Sequence, residues 1–329
     1  MEKLYKIIID TKGADRGPEM ILRGAAEALE KYPTLSVVLV GDADFIAAEC
    51  EKNGMPTERI EIIDAPDEIT NYDSPATALF EKPDSSLVVA LDTLSHREDI
   101  LGMINAGSTG ALIAGSMRYL SGASRVRPAL AAVLPTERGG FTCLVDTGAT
   151  IDCTAAMLHH FAKLGNDFMK RFYAIESPRI GLLSNGAEAT KGNKVVKEAH
   201  ALLAGDGEIN FVGNIEGTGA LSGDCDVLVC DGFAGNQVLK VSEGIARRII
   251  TDIVKYSKKT GEENIIKLVG YLMGIYDFNS LGGGIILGIE KPVIKAHGAA
   301  NEKSIVSTAG ILLNMVENKE IFDKNAFNM

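Results

Sequence analysis

The chain has 329 residues, of which 46% are hydrophobic, so it can build one large core or two linked lobes and is not a largely disordered protein. The formal net charge of -11 and the pI near 5.1 argue against a nucleic-acid-binding surface, which needs a cluster of cations. Any anionic ligand must therefore be held by local groups.

Short apolar runs alternate with helix-length segments along the chain. The runs predict strands, and most of them end in glycine, asparagine or aspartate: "YKIIID", "LSVVLVGD", "IEIID", "ILGMINAG", "FTCLVD", "PRIGLLSNG", "INFVGN", "DVLVCDG" and "PVIKAHG". Segments between them, such as "GPEMILRGAAEALEKY", carry apolar residues at helical spacing. This alternation predicts an α/β fold, a parallel or mixed sheet with helices on both faces. Since no Pro- or Ser-rich linker occurs, we expect two interleaved lobes.

The first predicted strand and the cysteines bear on the cellular compartment. "YKIII" is too short for the apolar core of a signal peptide and ends at Asp10, so we expect a cytoplasmic protein. The five cysteines contain no CxxC pair, and we interpret them as buried, unreactive thiols.

The stretch "NAGSTGALIAG" at residues 105–115 packs glycines and hydroxyls into an uncharged segment. The uncharged run from Ile100 to Met117 reaches about the length of a membrane helix. Asn105, Ser108 and Thr109 lie among glycines in its middle, which instead predicts a strand, a tight turn and a helix start. Two interpretations of the turn stay open: its N–H groups cradle an anion, or its glycines admit another backbone.

Three other predicted strand ends carry charged residues among glycines. The first, "DTKGADRGPE", places Asp10, Lys12, Asp15 and Arg16 before a helix that begins at Pro18. The second, "SNGAEATKGNK", presents Asn185, Glu188, Lys191 and Asn193. The third, "CDGFAGNQVLK", presents Asp231, Gly232, Gly235 and Asn236. In open α/β sheets, ligands bind at the carboxyl ends of strands. The pattern favours a pocket for a polar small molecule over inert loops.

Several common catalytic signatures are absent. The sequence contains no GxxxxGK[ST], GxSxG or HExxH motif, and "GTGALSG" misses the dinucleotide-binding spacing. His159 and His160 are adjacent, so on a helix they diverge by about 100° and cannot share a metal. We therefore expect no zinc or serine-triad enzyme, and neither a metal nor a cofactor.

A helical tip, residues 253–281, differs in character from the rest of the chain. Its apolar positions would share one helical face and have lysines nearby: Ile265, Leu268, Val269, Leu272 and Tyr276, with Lys255, Lys258, Lys259 and Lys267. A subunit interface or ordinary core is the first interpretation, and a weak peripheral contact with a membrane surface is the second.

Taken in order, the motifs resemble those of one enzyme family. "NAGSTGALIAG", "RVRPALAAVLPT", "LVDTGATIDC", "IGLLSNGAEATKGN", "INFVGNIEG", "DVLVCDGFAGNQVLK" and "VIKAHGAAN" are similar to the motifs of the PlsX phosphate acyltransferases of bacterial phospholipid synthesis, from Ile7 to about Ala300. The resemblance makes residues 1–329 one catalytic unit. The chain departs from the usual family pattern at Lys12, Ala14, Ser108, Ala187 and Glu188.

The resemblance implies a reaction, a fold and partners. The reaction is transfer of a fatty acyl group from an acyl carrier protein thioester to inorganic phosphate, which yields acyl phosphate. The fold is similar to that of isocitrate and isopropylmalate dehydrogenases and of phosphotransacetylases, usually in a homodimer. Phosphate attack on a thioester needs positioning and charge stabilisation more than a strong base, so no covalent enzyme nucleophile is required.

Residue type and motif position give a candidate site. As catalytic residues we predict Lys191, Asn193, Asp231 and Asn236. As phosphate- and substrate-binding residues we predict Asp10, Lys12, Gly13, Asp15, Asn105, Gly107, Ser108, Thr109, Gly110, Arg127, Gly232, Gly235 and His297. Within this set, "NAGSTG" and "FAGN" are the anion-cradling turns, and Lys12, Arg127 and Lys191 supply counter-charges.

Three other functions stay open. One keeps the fold but uses a short-chain acyl-CoA, as phosphotransacetylases do. Another is a non-catalytic homologue that binds acyl carrier protein. A nicotinamide dehydrogenase is the third, and the missing dinucleotide-binding fingerprint counts against it.

Overall fold

The computed structural model describes residues 3–122, 127–261, 264–276 and 283–317, and it divides the chain into two compact units. Unit 1 contains residues 1–128 and 282–329, and unit 2 contains residues 129–281. The sequence of unit 2 is thus inserted into that of unit 1.

The helices and strands follow the predicted alternation. Unit 1 begins with β1 (Tyr5–Asp10), α1 (Pro18–Lys31), β2 (Leu35–Gly41), α2 (Ala43–Lys52), β3 (Ile60–Asp64), α3 (Pro75–Glu81), α4 (Ser86–His96), β4 (Ile100–Asn105) and α5 (Thr109–Tyr119). Unit 2 contains β5 (Ala129–Pro135), β6 (Phe141–Val145), α6 (Ala155–Tyr173), β7 (Arg179–Leu183), α7 (Lys194–Gly205), β8 (Asn210–Ile215), β9 (Val227–Val229), α8 (Gly232–Thr260) and α9 (Asn264–Tyr276). Unit 1 ends with β10 (Gly284–Leu287), β11 (Val293–Lys295) and α10 (Glu302–Glu317).

The strands of unit 1 lie in the order β3-β2-β1-β4-β11-β10. They are parallel except for β10, which runs antiparallel to β11. Ile7, Ile8 and Ile9 are consecutive in β1 and none is exposed, although successive side chains of a strand point to opposite faces. Helices therefore cover both faces of this sheet, as the uninterrupted apolar runs predict.

The strands of unit 2 lie in the order β5-β6-β9-β7-β8. Strand β5 is antiparallel to β6, and the others are parallel. Mixed sheets in both units confirm the predicted fold class. Strands β5 and β10 were not among the predicted strands, because β5 is rich in alanine and β10 has only four residues, three of them directly after a run of glycines.

The uncharged run from Ile100 to Met117 divides as the sequence predicts. Strand β4 ends at Asn105, and α5 begins at Thr109 with Ser108 as its N-cap. Within the described residues, no helix combines the length and the apolar character that crossing a bilayer requires.

Candidate functional site

Three loops meet at the carboxyl edge of the unit 1 sheet. The loop after β1 reaches the loop after β4, where a Cβ built on Gly13 would lie 2.4 Å from the Cα of Gly107. The same loop reaches the turn after β11, where the N–H of Asp15 donates to the carbonyl of Gly298 at 3.0 Å. The structure thus brings together predicted residues that lie far apart in the sequence.

The glycines of "NAGSTG" are explained largely by packing. Gly107 lies against the backbone of Gly13, which has a φ of +84°, and its own N–H donates to Oδ1 of Asn105 at 2.9 Å. A Cβ on Gly110 would lie 2.7 Å from a ring carbon of Pro75. Of the two interpretations left open by the sequence, the close approach of another backbone is therefore observed directly.

A row of buried polar side chains crosses three neighbouring strands at this edge. Lys295 in β11 is the register partner of Asn105 in β4, and Nδ2 of Asn105 donates to Oδ2 of Asp10 in β1 at 2.8 Å. The exposed fractions of Asp10, Asn105 and Lys295 are 2%, 1% and 7%. Burial raises the pKa of Asp10 to about 6, although hydrogen bonds from Ser86, the N–H of Lys12 and Asn105 oppose the shift.

Lys295 is the residue of this row that the sequence motifs did not predict as a site residue. It lies inside the quoted motif "VIKAHGAAN", but only His297 was selected from that motif. Its ammonium donates to the carbonyl of Ala296. A lysine is rarely buried without a specific reason, so an ammonium at a carboxyl edge beside Asn105 is a candidate functional group.

The first turn of α5 adds main-chain donors to this edge. The N–H groups in the first turn of a helix have no partner within the helix, and the helix dipole favours an anion there. The side chain of Ser108 is mostly buried and, within the described residues, makes no capping hydrogen bond to this turn. Thr109 is half-buried and Gly110 is exposed, so the turn is open to a ligand.

The remaining predicted residues of unit 1 lie at its surface. Lys12 is half-buried, with its N–H donating to Oδ1 of Asp10. Asp15 and His297 are exposed. Arg127 is exposed two residues before β5, and no hydrogen bond or ion pair among the described residues joins it to the edge cluster.

The carboxyl edge of the unit 2 sheet is organised by a second buried aspartate, Asp146. It is fully buried after β6, and its carboxylate accepts hydrogen bonds from the N–H groups of Leu130, Ala149 and Thr150 at 2.9, 3.1 and 2.6 Å. Burial raises its pKa against these hydrogen bonds. The motif "LVDTGATIDC" contained this residue, but no chemical pattern marked it as buried.

Gly232 and Gly235 pack against the turn that Asp146 holds. A Cβ on Gly232 would lie 2.7 Å from Oδ2 of Asp146, and one on Gly235 would lie 1.9 Å from the carbonyl oxygen of Asp146. These positions therefore require glycine for close packing, and an anion-binding role for them stays a prediction.

Beside this edge, unit 2 contains a cavity of about 760 Å³. Apolar wall residues include Leu158, Leu182 and Val196, and the polar lining residues are Asp152, Ser184, Asn185, Asn193 and Asp231. Asn193 and Asp231 are the N-caps of α7 and α8, where their side chains accept from the N–H groups of Val196 and Ala234 at 2.9 and 2.7 Å. Lys191 is exposed two residues before Asn193, and Asn236 is half-buried in α8.

Two cysteines line the same cavity, Cys230 buried and Cys153 half-buried. The thiol of Cys230 donates to the carbonyl of Asp146, and burial raises the pKa of Cys230 well above its usual value. The thiol of Cys153 donates to the carbonyl oxygen of Thr150, with 3.4 Å between sulfur and oxygen. Across the described residues, no three His, Cys, Asp or Glu side chains are grouped as metal ligands would be.

Comparison with known proteins identifies the family. The family model described as "Fatty acid synthesis protein" matches residues 5–321. The chain is 37% identical to a phosphate acyltransferase from Halothermothrix orenii, across 98% of this chain and 97% of the relative. The chain belongs to the PlsX phosphate acyltransferase family. This confirms the resemblance found in the sequence motifs.

Solved structures agree with the fold of a PlsX phosphate acyltransferase. A phosphotransacetylase from Streptococcus pyogenes matches with a TM-score of 0.66 at 18% identity, over 97% of this chain and 95% of the other. A structure described as a putative 4-hydroxythreonine-4-phosphate dehydrogenase from Salmonella typhimurium matches with a TM-score of 0.55 at 15% identity, over 95% and 100%. At these identities the likeness concerns the fold alone, and it agrees with the fold that the family resemblance implied.

Proposed function

We propose that this chain transfers a fatty acyl group from an acyl carrier protein thioester to inorganic phosphate. The observation that carries the proposal is the match of nearly the whole chain to phosphate acyltransferases. An oxygen of phosphate attacks the thioester carbonyl carbon, a C–O bond forms, and the C–S bond breaks. The carrier leaves as a thiolate that takes up a proton, and acyl phosphate is the product.

We assign phosphate to the carboxyl edge of unit 1. The first-turn N–H groups of α5 and the ammonium of Lys295 supply positive potential there. This local potential is needed because the chain as a whole has a net charge of -11, which repels an anion. Lys12 lies in the loop that reaches the same edge. Since a substantial share of phosphate is already dianionic near neutral pH, holding it in place and stabilising the developing oxyanion supply the catalysis.

Donor specificity is tested by direct comparison. Purified protein is given phosphate with either a long-chain acyl carrier protein or a short-chain acyl-CoA, and thiol release is measured. We expect release from the carrier donor and little from CoA. A preference for CoA would instead identify a short-chain phosphotransacylase, and binding of the carrier without turnover would identify a non-catalytic homologue.

The proposed phosphate site is tested at Lys295. Lys295→Gln removes the charge while keeping much of the length, and we expect the KM for phosphate to rise at least about tenfold with little change in the KM for the acyl donor. Lys303→Gln, at an exposed position of α10, is the control. If the two variants have equal phosphate KM values, phosphate does not bind at Lys295.

We propose the helical tip, together with the preceding turns of α8, as a subunit contact in a homodimer. Residues of α8 at four-residue spacing, Val241, Ile245 and Ile249, are more than half exposed, and Ile266, Leu268 and Tyr271 of α9 are exposed between 48% and 67%. Two neighbouring helices with apolar exposed faces favour a protein contact. Attachment to a membrane surface is the alternative role for these helices, and a sedimentation experiment with vesicles separates the two. The side chain of Tyr276, which the sequence placed on this face, lies outside the described residues.

A further inference from the structure

The carboxylate of Asp10 lies where three segments of unit 1 meet. Asp10 ends β1, and its Oδ1 accepts from the N–H of Lys12 in the following loop at 3.1 Å. Its Oδ2 accepts from Nδ2 of Asn105 at the end of β4 at 2.8 Å. The hydroxyl of Ser86, the first residue of α4, also bonds to this carboxyl. One side chain therefore joins the loop after β1, the end of β4 and the N-terminus of α4.

This position of Asp10 does not suit direct contact with phosphate. The side chain is almost completely buried, and its described partners donate hydrogen bonds to it. An ionised carboxylate has only acceptors, and so have the oxygens of a phosphate dianion, so the two groups would repel each other. Any effect of Asp10 on phosphate must therefore pass through a residue that Asp10 holds in place.

Asn105 is that residue, because it connects Asp10 to the turn before α5. While Nδ2 of Asn105 faces Asp10, its Oδ1 accepts from the N–H of Gly107 at 2.9 Å. Rotating the amide by 180° would set its NH₂ group against the N–H of Gly107 and its oxygen against the carboxylate of Asp10. The carboxylate of Asp10 thus determines which end of the Asn105 amide faces the turn. The backbone of Asn105 is fixed too, since its carbonyl accepts from the N–H of Ala296 at 2.8 Å.

The position of Gly107 in turn sets the position of the donors that phosphate would meet. The N–H of Gly107 is already used by Asn105. The next donors along the chain are the first-turn N–H groups of α5, which have no partner within the helix and belong to the proposed phosphate site. Since Ser108 alone separates Gly107 from α5, a displaced Gly107 would displace these donors.

We propose that Asp10 is a positioning residue for phosphate. Through Asn105 it holds the turn at Gly107, and with it the first-turn donors of α5, in the geometry that binds the anion. The inference rests on the proposed function, which places phosphate at this edge of unit 1. It replaces the direct contact with phosphate that the sequence predicted for Asp10 by an indirect role.

Two single variants break the pairing of Asp10 with Asn105. Asp10→Asn can accept through one oxygen only, so it loses the bond from Lys12 or sets two NH₂ groups against each other. Asn105→Asp sets two carboxylates against each other. We expect each variant to raise the KM for phosphate at least about tenfold and the KM for the acyl donor less than about twofold. The dissociation constant of inorganic phosphate, from a ³¹P NMR titration, should rise as the phosphate KM does.

The double variant Asp10→Asn with Asn105→Asp exchanges donor and acceptor and keeps them matched. The new amide can accept from the N–H of Lys12 and donate to the new carboxylate, whose other oxygen accepts from the N–H of Gly107. The hydroxyl of Ser86 can accept as well as donate. We expect the phosphate dissociation constant to return to within about threefold of the wild-type value, because the two substitutions are coupled.

Asp64→Asn is the matched control. Asp64 ends β3 in the same sheet, and its Oδ1 accepts from the N–H of Ala43 at 3.0 Å. An asparagine oxygen can still accept this bond, and no described hydrogen bond joins Asp64 to Asn105 or to the turn before α5. The control should therefore keep the wild-type phosphate affinity.

A purely structural role of Asp10 predicts a different result. Loss of folded protein lowers kcat, because fewer sites are active, and leaves the phosphate KM unchanged. Wild-type phosphate affinity in Asp10→Asn would overturn the inference, and so would a double variant that does not recover. If the single variants do not fold, the double variant decides: a folded protein within about threefold of the wild-type affinity supports the inference, and a larger loss or an unfolded chain overturns it.

The outcomes separate this inference from the proposed function, because phosphate binding is measured without an acyl donor. A wild type that forms acyl phosphate, with unchanged phosphate affinity in Asp10→Asn, overturns the inference alone. Weakened binding that the exchange restores supports the inference even if no acyl phosphate forms, a result that would instead overturn the proposed reaction. A wild type that binds no phosphate overturns the inference together with the phosphate site.

Discussion

Asp10 is a buried carboxyl whose ionisation opposes folding. Its pKa is about 6 in the folded chain against 3.8 for an ordinary aspartate, so the folded state binds the proton more tightly. The protonated Asp10 carboxyl therefore contributes its full stabilisation of the fold below pH 3.8. This contribution to the free energy of unfolding is lost as the pH rises through 6, by at most about 3 kcal/mol. We predict that Asp10→Asn lacks this fall in the free energy of unfolding, measured by urea titration from pH 4 to pH 7.

The result is the difference in the free energy of unfolding between the wild type and Asp10→Asn at each pH. This difference isolates Asp10 because the other titratable groups are the same in both proteins. A constant difference across this range would show that Asp10 has an ordinary pKa.

Gly13 is required by its neighbour and by its backbone angle together. Gly13→Ala places a Cβ 2.4 Å from the Cα of Gly107 at a φ of +84°, and we predict a loss of about 3 kcal/mol in the free energy of unfolding. Gly139 has a φ of +78° with nothing within 4 Å of the built Cβ. Gly139→Ala should therefore cost only about 1 kcal/mol.

Denaturant midpoints of the two variants make the comparison. Equal losses would mean that the backbone angle alone matters and that the loops after β1 and β4 do not pack closely.

Asn193, the N-cap of α7, both stabilises a helix and lines a cavity. Asn193→Ala removes the hydrogen bond from the N–H of Val196 and should cost about 1 kcal/mol of stability. Because Asn193 also lines the unit 2 cavity, the KM for the carrier donor should rise as well. Asp42→Ala at the N-cap of α2 removes an equivalent bond from Phe45 and should lower stability alone.

Steady-state kinetics and thermal melts of both variants check this prediction. An unchanged donor KM in Asn193→Ala would leave Asn193 as a helix cap only.

Sequence patterns were sufficient for elements whose signal is local. The break between β4 and α5 follows from Asn105 and its glycines, and the start of α1 follows from Pro18. They were insufficient where the cause is distant in sequence. Whether Gly107 faces a ligand or a backbone depends on Gly13, and Lys295 is buried because β11 lies beside β4. A single lysine at the end of a three-residue strand carries no local sign of burial.

The exposed apolar faces of α8 and α9 predict that the protein associates with itself. Leu268→Glu with Tyr271→Glu places charges on this surface, because both side chains are exposed, and we predict that sedimentation analysis shows a shift from dimer to monomer. Leu202→Glu, at a leucine of similar exposure on α7, should leave the dimer intact. A wild-type monomer that sediments with anionic vesicles at low salt, and a double variant that does not, would identify a membrane contact instead.

The reaction itself is tested most directly with labelled phosphate. Long-chain acyl carrier protein and [³²P]phosphate are incubated with the purified protein, and labelled acyl phosphate and free carrier thiol are counted in the same samples. The proposed function predicts that the two products appear in equal amounts and that Lys295→Gln slows both at low phosphate. Release of thiol with unlabelled free fatty acid, or no release at all, would contradict it.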